Sequence, residues 1–367
     1  MATFIDQLTN RLATKRETLK ESFHLSQRKL DDELKAEVVK HWHSPLPSTS
    51  TGGLLPGYAV DGSSRRANLV NGSTVFVAQA LLIGEDKNER IADMEILPGT
   101  VEAKTMDRFA DLMRQSLEIG LAKDSAKVIP EGSILYLDGA LYGTLPQLYP
   151  LRAEGIPENR DYATTLLNDY HDLFLTCEQR NVLLISIAKT NRQALFSKIL
   201  QLSLERSKDE ILEVSDSALF DELTERKMGF STPIMLGSYS FSAGSSTVLL
   251  ENGSVKDMPA IVSFFVRLAD MDDALRVDIP ATCIGRSERI SEVPKGYSLV
   301  DAGSVRPIIE ILRGDYGGVQ VYNALAFISD HEVRLTKQKM YDIYLPMMSE
   351  VLGEEIRIDR SERRFVE

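Results

Sequence analysis

Cysteine is almost absent from this sequence, with Cys177 and Cys283 the only two among 367 residues. Two cysteines this far apart form no disulfide framework, and without a CxxC pair they form no structural zinc site. This cysteine usage indicates a reducing compartment, and we expect a cytoplasmic protein.

Long hydrophobic runs are also lacking. The most apolar segment, IVSFFVRLA from Ile261, is interrupted by Arg267 and has the length of a strand, so we expect no membrane span.

Basic residues are outnumbered by acidic ones, since 42 Lys+Arg and 54 Asp+Glu give a net charge of −12. This balance excludes a uniformly basic surface for nucleic acid, but it allows a local basic groove.

Several catalytic motifs are missing. The sequence contains no GxxxxGK[ST], GxGxxG, HExxH or GxSxG pattern. These absences disfavour a P-loop ATPase, a dinucleotide-binding fold, a zincin and an α/β-hydrolase. The chemistry that remains is metal-dependent phosphate chemistry built on separated acidic residues.

The chain divides by composition into three parts. In residues 1–43, apolar residues from Phe4 to Val38 recur at spacings of four and seven, which predicts one long amphipathic helix or a helical hairpin. This arm either packs on its own domain or crosses to a second subunit. Residues 44–57 are rich in Pro, Ser, Thr and Gly and predict a linker, and residues 58–367 form the main domain.

The main domain alternates between strand and helix patterns. Strands are predicted at 58–62, 73–84, 134–139, 182–188, 261–269 and 275–281, and helices near 106–123, 161–179, 304–313 and 323–335. This alternation predicts an α/β fold with a mixed sheet flanked by helices.

Two of the apolar strands are each predicted to end in an aspartate followed by glycine, YAVDG with Asp61 and ILYLDG with Asp138. Ligands bind at the carboxyl ends of strands in open α/β sheets, and the glycine allows a sharp turn there. Two neighbouring carboxylates repel one another, and a divalent cation relieves that repulsion. The alternative is that each Asp-Gly pair is only a turn.

Other candidates are single residues. Glu118, in SLEIG, lies near the rim of an apolar helix face, and Glu102 is a rival for the same role. His331, in FISDHEV, could complete a carboxylate site. Lys189 directly follows a buried strand and suits a phosphate. The alternatives are a solvated glutamate, a packed or capping histidine and a lysine that only reaches water.

Taken in order, these segments resemble the NurA family of DNA-end-processing nucleases, whose fold is RNase H-like and close to the PIWI domain. The resemblance extends over about residues 55 to 335. The segments that carry it are YAVDGSSRR, SLEIG, ILYLDGALYG, LLISIAKTNR, FFVRLADMDDALRVDIP and the late histidine His331.

The resemblance implies a metal-dependent deoxyribonuclease that resects DNA ends 5′ to 3′ and cuts single strands. It implies Mn²⁺ or Mg²⁺ as cofactor, with two ions, and a homodimer that docks on a HerA-like hexameric ATPase. Whether such a protein repairs DNA ends or defends against phage is left open. The implied catalytic and metal-binding residues are Asp61, Glu118, Asp138 and His331, and the implied substrate contacts are Lys189 and Tyr322.

The sequence departs from the family near the histidine. A pattern like YPxxLxxAH places a tyrosine eight residues before the histidine, whereas Asn323 stands eight residues before His331 and Tyr322 stands nine before it. Asp330 replaces the alanine that precedes the histidine, and Asp278 replaces the glutamate of an RVELP-like segment.

Two other functions remain open. A haloacid-dehalogenase-like phosphatase would use LDGALYGTL and Lys189, but Ala140 stands where that family places a second aspartate. A non-catalytic adaptor or clamp would keep the fold and use the N-terminal arm and the C-terminal segments to bind a DNA translocase.

Overall fold

A computed structural model describes residues 3–23, 30–48, 55–141, 162–189, 194–212, 214–237, 258–293 and 297–360. The strands are β1 Trp42–His43, β2 Gly57–Asn68, β3 Thr74–Gly84, β4 Asn88–Leu97, β5 Ile134–Asp138, β6 Leu183–Ala188, β7 Gly229–Ser231, β8 Ile234–Leu236, β9 Ile261–Arg267, β10 Leu275–Pro280 and β11 Tyr297–Leu299. The α-helices are α1 Phe4–Thr14, α2 Arg16–Phe23, α3 Asp32–Lys40, α4 Ala103–Ala126, α5 Tyr162–Gln179, α6 Leu195–Ser203, α7 Asp216–Leu223, α8 Arg306–Gly314, α9 Ala324–Val333 and α10 Leu345–Leu352. A helical turn Lys337–Lys339 and a π-helical turn Met340–Tyr344 precede α10.

The chain forms two compact units. The smaller comprises residues 1–46, 189–232 and 265–275, and the larger comprises residues 47–188, 233–264 and 276–367. The predicted division into arm, linker and main domain stays a prediction, and residues 49–54 of the predicted linker lie outside the described residues.

A mixed sheet forms the centre of the larger unit. Its strands follow the order β10-β6-β5-β2-β3-β4. Strands β2, β5 and β6 are parallel, whereas β3, β4 and β10 each run antiparallel to a neighbour. Helices cover both faces, which confirms the predicted α/β fold with a mixed sheet.

The alternation of side chains in β2 decides what covers each face. Tyr58 and Val60 join an apolar cluster with Ile119 of α4 and with residues of α5. On the opposite face, Ala67 packs with the C-terminal helical segment that includes Met340. Helix α9 also packs against β2 and β3.

Strand β2 corrects one prediction, because Asp61 does not end its strand. The strand continues to Asn68, through the polar residues SSRRAN. Its pairing with β5 covers only Gly57 to Val60, whereas its pairing with β3 covers Tyr58 to Asn68. Asp61 therefore lies where β2 loses its parallel neighbour.

The smaller unit contains α1, α2, α3, α6 and α7. Its short strand β1 pairs with β7, and β7 pairs with the last residues of β9. The N-terminal arm is helical in its described residues, which form α1, α2 and α3. Residues 24–29 lie outside the described residues, so one long helix or a helical hairpin stays a prediction. Leu34 and Val38 of α3 are buried, whereas α1 buries no residue. In the part of the chain that the structure describes, no helix is both long and apolar enough to cross a membrane.

Candidate functional site

Strand register brings Asp61 and Asp138 together in the larger unit. The parallel pairing of β2 with β5 runs to Val60 opposite Leu137. The next residue on each strand is therefore an aspartate, Asp61 on β2 and Asp138 on β5. Gly139 follows with a φ of 102°, a conformation that favours glycine, so the predicted turn after Asp138 is present.

A third aspartate completes the group. Carboxylate oxygens of Asp61, Asp138 and Asp330 all lie within 4.8 Å of one another. Asp61 is buried, Asp138 is half-buried and Asp330 is exposed. The three residues come from β2, β5 and α9, so the group exists only in the folded chain.

Hydrogen bonds hold α9 beside the sheet. Asn323 caps its N-terminus by accepting a hydrogen bond from the backbone N–H of Ala326 at 2.9 Å. At the other end, the Gln79 amide donates to the carbonyl of Val333 at 2.6 Å. Two residues later, the N–H of Leu335 donates to Ser63 Oγ at 2.9 Å. The bonds from Gln79 and to Ser63 fix the position of Asp330 relative to β3 and β2.

Glu118 of α4 lies next to this group and is only 3% exposed. Burial raises the pKa of its carboxyl to about 8, the nearby Arg114 guanidinium opposes that shift, and the charges of Asp61 and Asp138 add to it. Arg114 donates to Glu118 Oε2 at 2.9 Å. A solvated glutamate, the alternative considered above, does not describe this residue.

Gly62 explains how Glu118 comes so close. A Cβ atom at Gly62 would lie 3.1 Å from Arg114 Cγ and 3.2 Å from Glu118 Oε2. A larger residue after Asp61 would therefore displace the two α4 side chains.

The donor set fits a divalent metal ion. Carboxylate oxygens are the ligands preferred by Mg²⁺ and Mn²⁺, and a cation would relieve the repulsion among the aspartates. A cavity of about 190 Å³ adjoins Asp138 and is also lined by Arg114, Glu118 and Ser186. There is therefore room beside the carboxylates for a phosphate group.

A second cavity of about 570 Å³ lies further along β2 and α4. It is lined by Arg65, Arg66, Lys337 and Tyr341, with Asp107 and Asp111 on the α4 side. Arg66 donates to Asp107 at 2.6 Å, and the Lys337 ammonium lies 5.3 Å from the centre of the Tyr341 ring. This cavity combines cations with an aromatic ring.

The other predicted residues lie in different surroundings. His331 is exposed in the last turn of α9, and Glu102 is exposed at the N-terminus of α4. Tyr322 is buried just before α9. Lys189 is half-buried directly after β6, as the first residue of a segment of the smaller unit.

Asp278 is fully buried and pairs with Arg276 on the same strand. Arg276 donates to both carboxylate oxygens of Asp278, at 2.9 and 3.1 Å, and to Ser263 Oγ at 3.1 Å. This ion pair satisfies charges inside the sheet.

Sequence reasoning missed Asp330 as a site residue. The signal that could have found it is its spacing from Tyr322, because Asp330 is the eighth residue after that tyrosine. This is the separation expected between the tyrosine and the histidine, and small Ser329 then takes the place of the alanine.

Comparison with known proteins gives a family and a fold. A family model, the NurA domain, matches residues 57–298. The chain is similar to the crystal structure of the NurA nuclease from Sulfolobus solfataricus, at 15% identity and a TM-score of 0.58, covering 95% of this chain and 97% of that one. A NurA structure bound to dAMP and manganese is similar at 14% identity and a TM-score of 0.53, covering 98% of each chain. No curated protein matches this chain by sequence.

Proposed function

The chain belongs to the NurA family, and on that basis we propose that it is a metal-dependent nuclease that processes DNA ends. The observation that carries this proposal is the convergence of Asp61 and Asp138 at the point where the parallel pairing of β2 with β5 ends, with Glu118 beside them. Membership of this family leaves no role for the phosphatase alternative.

We assign Asp61, Glu118 and Asp138 as metal-binding residues, with Mn²⁺ or Mg²⁺ as the cofactor and two ions as the expected number. A similar NurA structure holds manganese and dAMP, which supports this assignment. Bound ions of this kind activate a water molecule and stabilise the leaving oxygen of a phosphodiester.

The chain's own residues then have distinct roles. The aspartates hold their oxygens toward a common point, and Arg114 lines the adjoining cavity, where its charge offsets that of a phosphate. Lys189 and Tyr322 stay predicted substrate contacts.

The second cavity supports DNA as the substrate. Arg65 lies four residues after Asp61 on the same strand, which corresponds to about 13 Å. Phosphates a few nucleotides from the scissile bond would meet Arg65, Arg66 and Lys337 there, and a base could stack on Tyr341. A chain with a net charge of −12 needs a local basic path of this kind.

We also propose a homodimer that docks on a HerA-like hexameric ATPase. The supporting observation is α1, which exposes Phe4, Ile5, Leu8 and Leu12. Apolar side chains repeated at helical spacing and left exposed favour contact with another protein surface. The mass of the purified chain in solution tests the homodimer, and the mass of its mixture with the ATPase tests the docking. A Leu8→Asp variant should weaken one of these two associations.

The test of the catalytic proposal is cleavage of end-labelled duplex and single-stranded DNA by the purified full-length chain. We expect cutting with Mn²⁺ or Mg²⁺, none with EDTA, and at least about a 10³-fold lower rate for Asp61→Asn. Labels at the 5′ and 3′ ends report the polarity, and reactions with and without the ATPase report its contribution.

Asp124→Asn is the matched control, because Asp124 is an exposed aspartate near the end of α4. Its rate should equal that of the wild type. Cutting that survives EDTA, or an Asp61→Asn variant with full activity, would rule out this site as the catalytic centre and would favour the adaptor.

A further inference from the structure

We infer that Asp330, and not His331, is the residue of α9 that binds the metal, so that the site is made of carboxylates alone. This inference rests on the proposed function and concerns the composition of the same site. It also has a consequence for metal preference, because replacing imidazole by carboxylate changes the ligand chemistry.

The first argument is convergence. A carboxylate oxygen of Asp330 lies within 4.8 Å of oxygens from both Asp61 and Asp138. Within the same 4.8 Å limit, the His331 imidazole does not form a group with two other possible metal ligands in the described residues. A single ion could therefore contact all three aspartates after only small side-chain movements.

The second argument is the rotation of α9. The buried residues Ala326, Ser329 and Val333 define the side of this helix that faces the sheet. At about 100° per residue, Asp330 lies roughly 70° from the centre of that side, and His331 lies roughly 170° from it. The imidazole thus projects away from β2, whereas Asp330 remains at the edge that faces Asp61.

The third argument is that this rotation is fixed at the C-terminal end of α9. The hydrogen bonds from Gln79 to Val333 and from Leu335 to Ser63 join this end of the helix to β3 and β2. Turning His331 toward the aspartates would break these bonds and expose the buried side of the helix.

An all-carboxylate site has a predictable metal preference. Oxygen ligands suit Mg²⁺ and Mn²⁺ alike, whereas an imidazole nitrogen favours the more borderline ion, Mn²⁺. We therefore expect the affinity of this chain for Mg²⁺ to be closer to its affinity for Mn²⁺ than in a site with one histidine ligand.

The test is titration calorimetry of the full-length, metal-free chain with Mn²⁺ alone and with Mg²⁺ alone, without DNA. Asp330→Asn should raise the Kd for both ions at least about tenfold, since even residues that only support a metal ligand change affinity by 10- to 100-fold. His331→Gln, the matched control on the neighbouring residue, should stay within about twofold of the wild type. Asp330→His should raise the ratio of Kd for Mg²⁺ to Kd for Mn²⁺ about tenfold.

Asp330 is exposed, so these substitutions should leave the fold intact, and circular dichroism of the metal-free variants checks this. If His331→Gln loses metal while Asp330→Asn binds normally, the inference is wrong although the nuclease proposal stands. If the wild type binds neither ion, or if Asp61→Asn binds as tightly as the wild type, both the inference and the proposed metal site fail.

Discussion

Each of the two units contains a group of charged side chains, and these two groups have opposite arrangements. In the smaller unit, Arg267 is fully buried and its donors are matched to acceptors. Its Nε donates to the carbonyl of Asp272 at 2.9 Å, one terminal nitrogen donates to Thr224 Oγ1 at 2.6 Å, and the other donates to the Asp221 carboxylate. The guanidinium also lies 5.4 Å from the centre of the Trp42 ring.

In the aspartate group of the larger unit, the charges that meet have the same sign. Asp61, Asp138 and Asp330 converge, and the first two add to the rise in the pKa of buried Glu118. Such repulsion destabilises the folded state, whereas the contacts of Arg267 hold it together. The comparison teaches that burial of charge alone does not identify a functional site. The sign of the neighbouring charges separates a structural ion pair from a site that accepts a cation.

The largest expected effect is on stability, from Arg267→Met. The substitution leaves the Thr224 hydroxyl and the Asp272 carbonyl without the donor of a buried guanidinium, and each buried polar group left unsatisfied costs about 1–3 kcal/mol of unfolding free energy. Urea denaturation of the full-length chain measures the loss. Lys40→Met is the control in the same unit, because the Lys40 side chain is 68% exposed, and its midpoint should not change. Equal midpoints for wild type and Arg267→Met would show that this network does not stabilise the fold.

The next effect is on activity, from Gly62→Ala. The new methyl group would press on Arg114 and Glu118 at 3.1–3.2 Å, so both side chains must move by a few tenths of an ångström. We expect a cleavage rate about 3- to 30-fold lower, since a displacement of 1 Å costs about 100-fold. Initial rates at saturating metal measure the effect. Gly314→Ala is the control, because its Cβ would meet no atom within 4 Å; a loss of the same size there would contradict the steric explanation.

A smaller effect, and one of opposite sign to that of Arg267→Met, is expected from Asp61→Asn in metal-free protein. Removing one of the converging charges should stabilise the fold by about 1–2 kcal/mol, or a few degrees in melting temperature. The amide oxygen can still accept the hydrogen bond from the Gly62 N–H, which is 2.7 Å long in the wild type. Melting curves in EDTA and with added Mn²⁺ measure this change and the loss of stabilisation by metal. A lower melting temperature in EDTA would mean that repulsion at the site is not significant.

The smallest effect is expected from Ser186→Ala. The Ser186 hydroxyl donates to the carbonyl of Gly139 at 2.7 Å, directly after Asp138. Its loss should cost about 1 kcal/mol of stability and reduce the cleavage rate by less than about threefold. Thermal unfolding and initial rates measure both quantities. Ser304→Ala removes a comparable hydrogen bond, to the carbonyl of Asp301, and is the control whose cleavage rate should not change. A tenfold lower rate would show that this hydrogen bond positions Asp138 far more strongly than we expect.

Much of the sheet could be predicted from the sequence, because continuous apolar runs mark buried strands. The predicted strands around Val60, Leu137, Ile185 and Val277 all exist. Strand β4, Asn88–Leu97, was not predicted, because half of its residues are polar and its apolar residues form no continuous run. The length of β2 was also missed, since its second half is polar and pairs with β3 but not with β5.

The site was predicted in part. Asp61 and Asp138 follow matching apolar segments, which indicated that they are neighbours, although Asp61 lies within its strand and not at the predicted strand end. Glu118 was a candidate among others, and its burial could not be predicted, because an acid between apolar helix positions is usually solvated.

The sequence by itself determined the local features of this protein: the apolar strands, the aspartates that follow their apolar segments, and a helix with acid and histidine side by side at Asp330 and His331. Only the tertiary structure decided which of these two neighbours faces Asp61. Adjacent residues of a helix point about 100° apart, so the choice depends on how α9 is rotated against β2 and β3. That rotation is set by contacts with residues more than 200 positions away, including Ser63 and Gln79, which no local pattern encodes.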